Sequence, residues 1–179
     1  MEENQKIPMR SQVKKEDTWA IEDMYATVED WEKDFAAAKK VAEEAAEYAG
    51  RLGESAQALY DWSALTEKLD CMLSEIYGYA SRVKDQDTAD AAGQTLSARA
   101  MGLYVECSGL ISFADPEILS IPEEKLEAFY AEKPELLKYR RSINEVRRCK
   151  DHILSRSWKR YWQMQGRWRR HPERFIRLW

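Results

Sequence analysis

The most constraining feature of the sequence is an apolar stripe that runs from Leu59 to Val83 at three- and four-residue steps. Residues spaced in this way lie on one face of an α-helix, so the stripe predicts a helix of about eight turns. We place its start at Ser55. The predicted buried positions are Leu59, Trp62, Leu65, Leu69, Met72, Ile76, Tyr79 and Val83.

Two neighbouring segments have the same spacing. The first begins at Thr27, where Thr27 and Asp30 resemble a capping box, and is stopped by Gly50 and Gly53. The second follows a polar turn at residues 84–88 and runs to Asp115-Pro116. Their predicted core positions are Trp31, Phe35, Ala38, Ala42, Ala45 and Ala49 in the first, and Ala92, Leu96, Ala100, Leu103, Cys107, Leu110 and Ala114 in the second.

Two shorter helices are predicted farther along the chain. Ser120 and Glu123, with Pro122 in the first turn, predict a short helix that buries Leu126 and Phe129. Pro134 predicts the start of a fifth helix. Its core face would hold Leu136, Tyr139, Ile143, Val146, Cys149 and Ile153.

These patterns predict an all-α fold. No stretch alternates apolar and polar residues for long enough to indicate a strand, and short connections between long helices favour antiparallel neighbours. We therefore expect an antiparallel bundle of about five helices over residues 27–155, after an extended N-terminal segment at residues 1–26. Residues 156–179 form a separate basic and aromatic tail.

Composition favours a single soluble domain in the cytoplasm. The chain of 179 residues, 44% of them hydrophobic, can bury one sizeable core. It contains neither a signal-length apolar stretch at its start nor a later run of about 18 apolar residues. Cys71, Cys107 and Cys149 are odd in number and far apart, which argues against disulfides and thiolate zinc sites. We expect each to be a small, partly buried thiol.

The sequence predicts no catalytic, cofactor-binding or metal-ligating residue. A hydrolytic zinc site typically uses two His one helical turn apart with a Glu that activates water. The only histidines are His152 and His171, neither is followed by Glu, and we expect His152 to close the fifth helix. No Gly-rich phosphate loop or recognisable Ser nucleophile motif is present.

Two acidic clusters are interpreted as solvated surface. Asp85, Asp87 and Asp90 lack the glycine and the twelfth-position Glu of a calcium loop, so they predict a turn. The second cluster lies on one outer face of the first helix, where no apolar neighbours would separate two carboxyl pKa values. It consists of Glu43, Glu44 and Glu47.

The charge of the chain changes abruptly after Ser155. Residues 156–179 hold eight of the 28 Lys and Arg but only one of the 32 Asp and Glu, so the tail carries about +7 and residues 1–155 about −11. The acidic part disfavours nucleic acid as its partner. The tail itself, with Trp158, Trp162 and Trp168 among its arginines, could bind anionic membrane or nucleic acid, or could be a product of a changed reading frame.

The sequence upstream of the tail resembles the N-terminal region of oligoendopeptidase F, over roughly residues 8–155. The matching stretches are DTWAIEDMYATVEDWEKDF, GRLGESAQAL, YASRVKDQDTADAAGQTLSARA, FADPEILSIPEEKLEAFYAEKPELLKYRRSINEV and RRCKDHILS.

The resemblance implies a piece of a cytoplasmic zinc metallopeptidase that cuts short peptides. In that family the helical N-terminal region packs on a larger catalytic domain, whose HExxH helix and a later Glu hold zinc. No such motif occurs here, so no family catalytic or metal residue is carried over. We expect an inactive region that would wall the substrate channel, whose partners are the catalytic domain and short peptides, and which self-associates or is marginally stable by itself.

The tail departs from the family, which continues past this point with an acidic, Ala- and Leu-rich helix. The genetic code explains the departure if each tail codon is read from its third base. Trp158-Lys159 must then give Glu, and Tyr161-Trp162 must give Leu. The alternative phase is compatible with KLEKILANAGEMAETPGAIYSAM, so we expect a frameshift after about Ser155.

Two other functions remain open from the sequence. The chain could be a helical binding module whose basic, Trp-rich tail docks on anionic membrane or nucleic acid; its binding would then depend steeply on salt. It could also be a short interaction protein of helical-bundle type.

Overall fold

The structure, a computed structural model, describes residues 12–149. This part contains six α-helices and no strand, which confirms the all-α prediction. Short 3-10 segments precede α1 at Lys15–Asp17 and Ile21–Asp23, and another at Pro134–Tyr139 precedes α6. The helices are α1 Val28–Ala46, α2 Ala56–Gln86, α3 Ala91–Leu110, α4 Ala114–Ser120, α5 Glu123–Glu132 and α6 Arg140–Arg148.

Helix α1 begins as predicted and ends earlier than predicted. The Thr27 hydroxyl oxygen accepts a 3.2 Å hydrogen bond from the Asp30 N–H, so Thr27 caps the helix. At the other end, the N–H groups of residues 47–49 bond to carbonyls three residues back, which tightens the last turn. The expectation that Ala49 is a core residue is wrong: the tighter winding turns it off the buried face, and it is exposed.

Helix α2 contains the predicted helix but extends to Gln86, so residues 84–86 of the predicted turn at 84–88 are helical. A short turn separates the two helices, and Asp90 caps α3 because its Oδ2 accepts a 2.9 Å hydrogen bond from the Gly93 N–H. A Cβ atom at Gly93 would lie 3.1 Å from the Lys84 Cα, so a larger residue here would push the two backbones apart by a few tenths of an ångström. The contact between residues 84 and 93 shows that the chain reverses here, as an antiparallel pair requires.

The third predicted helix is two helices in the structure. Helix α3 ends at Leu110, and α4 begins at Ala114 after a turn. We expected Asp115-Pro116 to end a helix that included Ala114. Pro116 instead lies in the first turn of α4, where the N–H it lacks would have no partner within the helix. Ala92 is also exposed rather than buried, because it lies on the outer side of α3's first turn.

The last two predicted helices are present with altered starts. Leu126 and Phe129 of α5 are buried as expected, but the Ser120 hydroxyl donates to the Glu117 carbonyl at 2.7 Å and does not cap α5. Pro134 begins a 3-10 segment, and only from Arg140 is the chain α-helical. Leu136 and Ile143 are buried, whereas Cys149 is exposed and Ile153 lies outside the described residues.

The chain divides into two compact units. The described part of unit 1 comprises residues 12–38 and 70–104, and that of unit 2 comprises residues 39–69 and 105–149. Trp31 is the largest fully buried side chain in unit 1. Around it, the core of unit 1 includes Tyr25, Ala38, Leu73, Ile76, Tyr79, Ala80, Leu96, Ala100 and Leu103.

The core of unit 2 gathers residues from the turns after α1, from α2 and from α4 to α6. Arg147 of α6 closes this core: its Nη1 donates to the Ile121 carbonyl at 2.7 Å, and its Nη2 donates to Glu123 Oε2 at 2.6 Å. The buried cluster consists of Leu52, Ala56, Leu59, Phe113, Ala114, Ile118, Ile121, Leu126, Phe129, Tyr130, Leu136 and Ile143.

Candidate docking surface

The titratable groups of residues 12–149 form no cluster of three His, Cys, Asp or Glu that could hold a metal ion. His152, predicted to close the fifth helix, and His171 lie outside the described residues, as does the whole basic tail. No helix among the described residues has the length and apolar character needed to span a bilayer.

The two acidic clusters have the surface positions that the sequence predicts. Asp87 and Asp90 bond to nearby backbone N–H groups in the turn before α3, and Asp85 pairs with Lys84 at 3.5 Å. Glu43, Glu44 and Glu47 are all exposed on α1 and the turn that follows it. The three aspartates thus stabilise the turn between α2 and α3 and the end of α2, and the three glutamates face solvent.

Four carboxylates that pair with a base have lowered pKa values, whereas partial burial raises the pKa of Asp70, which has no basic partner among the causes of its shift. Hydrogen bonds from Arg99 hold the pKa of Glu32 below its usual value, and the Lys138 ammonium and the Tyr139 hydroxyl do the same for Glu67. Both pairs are exposed, and each links segments of a single unit. Lowered values of this kind keep a carboxylate charged, which suits an ion pair rather than a general acid.

The cysteines differ in exposure. Cys107 is fully buried, and its burial, aided by Glu106, raises the pKa of the thiol to about 11. Cys71 and Cys149 are exposed, so the expectation that they are partly buried is wrong. Cys71 lies on the exposed side of α2, and Cys149 directly follows the last residue of α6. All three thiols are free.

The surface of α3 is unusual because its outer side carries almost no charge. Arg99 and Glu106 are the only charged residues in the 20 residues of this helix. Both are used in ion pairs with α1, Arg99 with Glu32 and Glu106 with Lys39 at 2.8 Å. The rest of the outer side is therefore neutral, whereas surface helices of soluble proteins typically place charged residues there.

Large apolar side chains occupy this neutral side in unit 1. Met101 is 40% exposed and Tyr104 is 50% exposed, and Tyr77 of α2 is 38% exposed. Ala98 and Gly102, one helical turn apart on α3, are also exposed, and an added Cβ at Gly102 would meet nothing within 4 Å. We call these five residues, Tyr77, Ala98, Met101, Gly102 and Tyr104, the α3 face.

An open depression of about 460 Å³ continues the α3 face toward the turn between α2 and α3. Two of its polar side chains have partners within the chain: the Gln94 side-chain N–H donates to the Thr88 carbonyl at 2.7 Å, and Lys84 pairs with Asp85. Its lining is completed by Ser97 and by Tyr77, Ala98 and Met101 of the α3 face.

Helical periodicity does not reveal this surface, because periodicity identifies only the buried stripe of a helix. The usable signal was the composition of α3 outside that stripe. A helix with two charged residues in 20 and with Met101 and Tyr104 off its buried face is apolar on both sides, which is typical of a helix covered on both sides.

Comparison with known proteins points to one peptidase family. The family model described as Oligopeptidase F matches residues 117–172. This range continues past Ser155 into the basic tail. The boundary that we predict between residues 155 and 156 therefore stays a prediction. Oligopeptidase PepF of Bacillus subtilis (strain 168) is 39% identical over 149 residues, which are 83% of this chain and 22% of that protein.

Other relatives and two solved structures agree. Group B oligopeptidase PepB of Streptococcus agalactiae serotype III (strain NEM316) is 32% identical over 148 residues, covering 83% of this chain and 25% of PepB. The oligoendopeptidase-F crystal structure from Enterococcus faecium aligns with a TM-score of 0.70 at 24% identity, over 78% of this chain and 28% of that one.

A crystal structure of a putative peptidase from Chlamydophila abortus aligns with a TM-score of 0.73 at 19% identity, over 89% of this chain and 27% of that one. At these identities the two structures establish the fold alone. The chain spans about a quarter of the length of the relatives that it matches.

Proposed function

Because the chain corresponds to the N-terminal region of oligoendopeptidase F, we propose that it is a helical, non-catalytic part of a peptidase of that family. The observation that carries the proposal is the 39% identity to Oligopeptidase PepF over 149 residues. The identity extends over 83% of this chain but only 22% of the relative, so most of the relative has no counterpart in the matched region.

In this proposal the zinc chemistry belongs to the remaining three quarters of the peptidase. Several charged groups of residues 12–149 bond to one another, as Arg99 does with Glu32, Lys138 with Glu67 and Arg147 with Glu123. The present chain would contribute to a wall of the substrate channel and would restrict the peptidase to short, unfolded peptides. We place this peptidase in the cytoplasm.

A chimeric enzyme tests the proposal. The 149-residue stretch of Bacillus subtilis PepF that aligns with this chain would be replaced by the matching residues of this chain. We expect the chimera to cleave a fluorogenic short peptide within about tenfold of the PepF rate, which is about 1.4 kcal/mol in activation free energy, and to lose activity on chelation of zinc.

One control makes the result interpretable. A second chimera with Leu136→Asp in the unit 2 core should lose both folding and activity, since Leu136 is fully buried. A folded but inactive first chimera would contradict the proposed function.

We also propose that residues 156–179 are read in a changed frame. The support is the codon constraint at pairs such as Trp158-Lys159, which the family's helical continuation satisfies in the alternative phase. The nucleotide sequence around codons 153–157 tests this directly. We expect an open alternative phase that runs on to an HExxH motif, and a closed phase would contradict it.

A further inference from the structure

We propose that the α3 face is the surface on which the rest of the peptidase polypeptide docks, through a close-packed, uncharged apolar segment. The inference rests on the proposed function and adds to it the contact surface and the chemistry of its partner.

The charge of α3 excludes a charged partner. Arg99 and Glu106 are the only charged residues of the helix, and each already has an opposite charge on α1. Arg99 also lies over the Trp31 ring at 5.2 Å, which holds its guanidinium on the α1 side. The α3 face therefore offers a partner neither a cation nor an anion, so the matching surface must be apolar and neutral.

The small residues of the α3 face allow close approach. Interhelical distances of 8–10 Å depend on the side chains at the contact, and Gly102 and Ala98, which are exposed one helical turn apart, leave the α3 backbone accessible beside Met101. The larger rings of Tyr77 and Tyr104 add apolar area at one border. A segment that packs over Gly102 could therefore approach the axis of α3 more closely than it could approach the axis of a helix with long side chains at the contact.

The rest of the peptidase chain is the occupant that accounts best for such a surface. The relatives are about four times as long as the region that matches this chain, since that region is 22% of one relative and 25% of another. A small ligand is disfavoured because Lys84 and Gln94 in the adjoining depression are already bonded within the chain. With a charged partner and a small ligand disfavoured, apolar contact with a polypeptide segment is the mode of binding that fits the α3 face.

Gly102→Gln separates docking from folding. In the 179-residue chain by itself, the substitution replaces a poor helix former at an open position, so we expect the melting temperature to rise by about 2 °C. In the full-length PepF chimera, the same side chain would obstruct the docked segment. We expect the melting temperature to fall and chelator-sensitive hydrolysis to drop at least about tenfold. Ala128→Gln, at an exposed position of α5, is the matched control and should change neither protein by more than about 1 °C.

The outcomes distinguish this inference from the proposed function. An active chimera in which Gly102→Gln and Met101→Glu leave melting and hydrolysis unchanged would overturn the docking surface and leave the proposed function intact. An inactive, folded, unmodified chimera would overturn both. Sedimentation of the 179-residue chain adds one more test: a dimer abolished by Met101→Glu, together with an unaffected chimera, would assign the face to a second copy and overturn the inference.

Discussion

The Trp31 indole N–H donates a 3.0 Å hydrogen bond to the backbone carbonyl of Ile76, 45 residues farther along the chain. Both residues are fully buried in unit 1, so this bond fixes the position of α1 against α2 from within the core. The Trp31 ring also contacts Phe35, with the ring centroids 5.0 Å apart, and lies beneath the Arg99 guanidinium. One aromatic residue thus connects three helices of unit 1.

We predict that Trp31→Phe lowers the free energy of unfolding by about 1–3 kcal/mol, through the lost hydrogen bond and a small void. Trp31→Ala should cost about 3–5 kcal/mol. Urea denaturation measures both values. Trp19→Phe is the matched control, because Trp19 is 59% exposed and its loss should stay within about 0.5 kcal/mol. Equal losses at Trp19 and Trp31 would contradict the placement of Trp31.

Two glycines should respond to alanine in opposite directions. Gly50 has a φ of +86°, and its N–H donates to Glu117 Oε1 at 2.6 Å, so Gly50→Ala forces a left-handed conformation on a residue with a Cβ. We expect a loss of about 1 kcal/mol, whereas Gly102→Ala within α3 should gain about 0.5–1 kcal/mol in the isolated chain. Thermal melts of the two variants provide the comparison. A stabilised Gly50→Ala protein would show that the φ is wrong.

Acid should destabilise the fold through its paired carboxylates. Hydrogen bonds from Lys138 and Tyr139 lower the pKa of Glu67 in the folded chain, so its contribution to stability is present above the unfolded value and is lost as the pH falls through the folded value. The urea midpoint should therefore decrease below about pH 4.5. In Glu67→Gln the urea midpoint should decrease less with acid than in the wild type. In Glu44→Gln, on the outer face of α1, the midpoint should decrease as much as in the wild type. Identical acid curves for the wild type and Glu67→Gln would refute this account.

The three thiols should react in two classes. Cys71 and Cys149 are exposed, whereas burial of Cys107 and its pKa of about 11 leave little accessible thiolate near neutral pH. A thiol reagent such as DTNB should label two cysteines rapidly, and the third only as fast as unit 2 opens. Cys107→Ala should remove the slow phase alone. Three equal rates would be inconsistent with a buried Cys107.

The sequence predicts the helices that carry a long apolar stripe and fails where local geometry decides. Trp31, Ile76 and Leu136 are buried as periodicity predicts, because a stripe of several turns tolerates errors at either end. The predictions for Ala49 and Pro116 are wrong for local reasons. A single tightened turn exposes Ala49, and Pro116 lies at the start of a helix rather than after its end. Neither change alters the spacing of apolar residues along the sequence.

The candidate docking surface could not be predicted from periodicity either. Met101 and Tyr104 lie off the buried stripe, and only the ion pairs of Arg99 and Glu106 with α1 show that the outer side of α3 is neutral. The residues of each pair are 67 positions apart in the sequence. At that separation the spacing of charged residues along the sequence does not predict which of them will pair.

The central claim is that this chain is a helical part of an oligopeptidase F-like enzyme and contains no catalytic centre of its own. The most direct test is hydrolysis of a fluorogenic short peptide by the purified 179-residue chain in the presence of zinc. The account predicts no cleavage above the rate of the buffer. Cleavage that chelation abolishes, and that follows the chain through purification with one bound zinc per molecule, would contradict it.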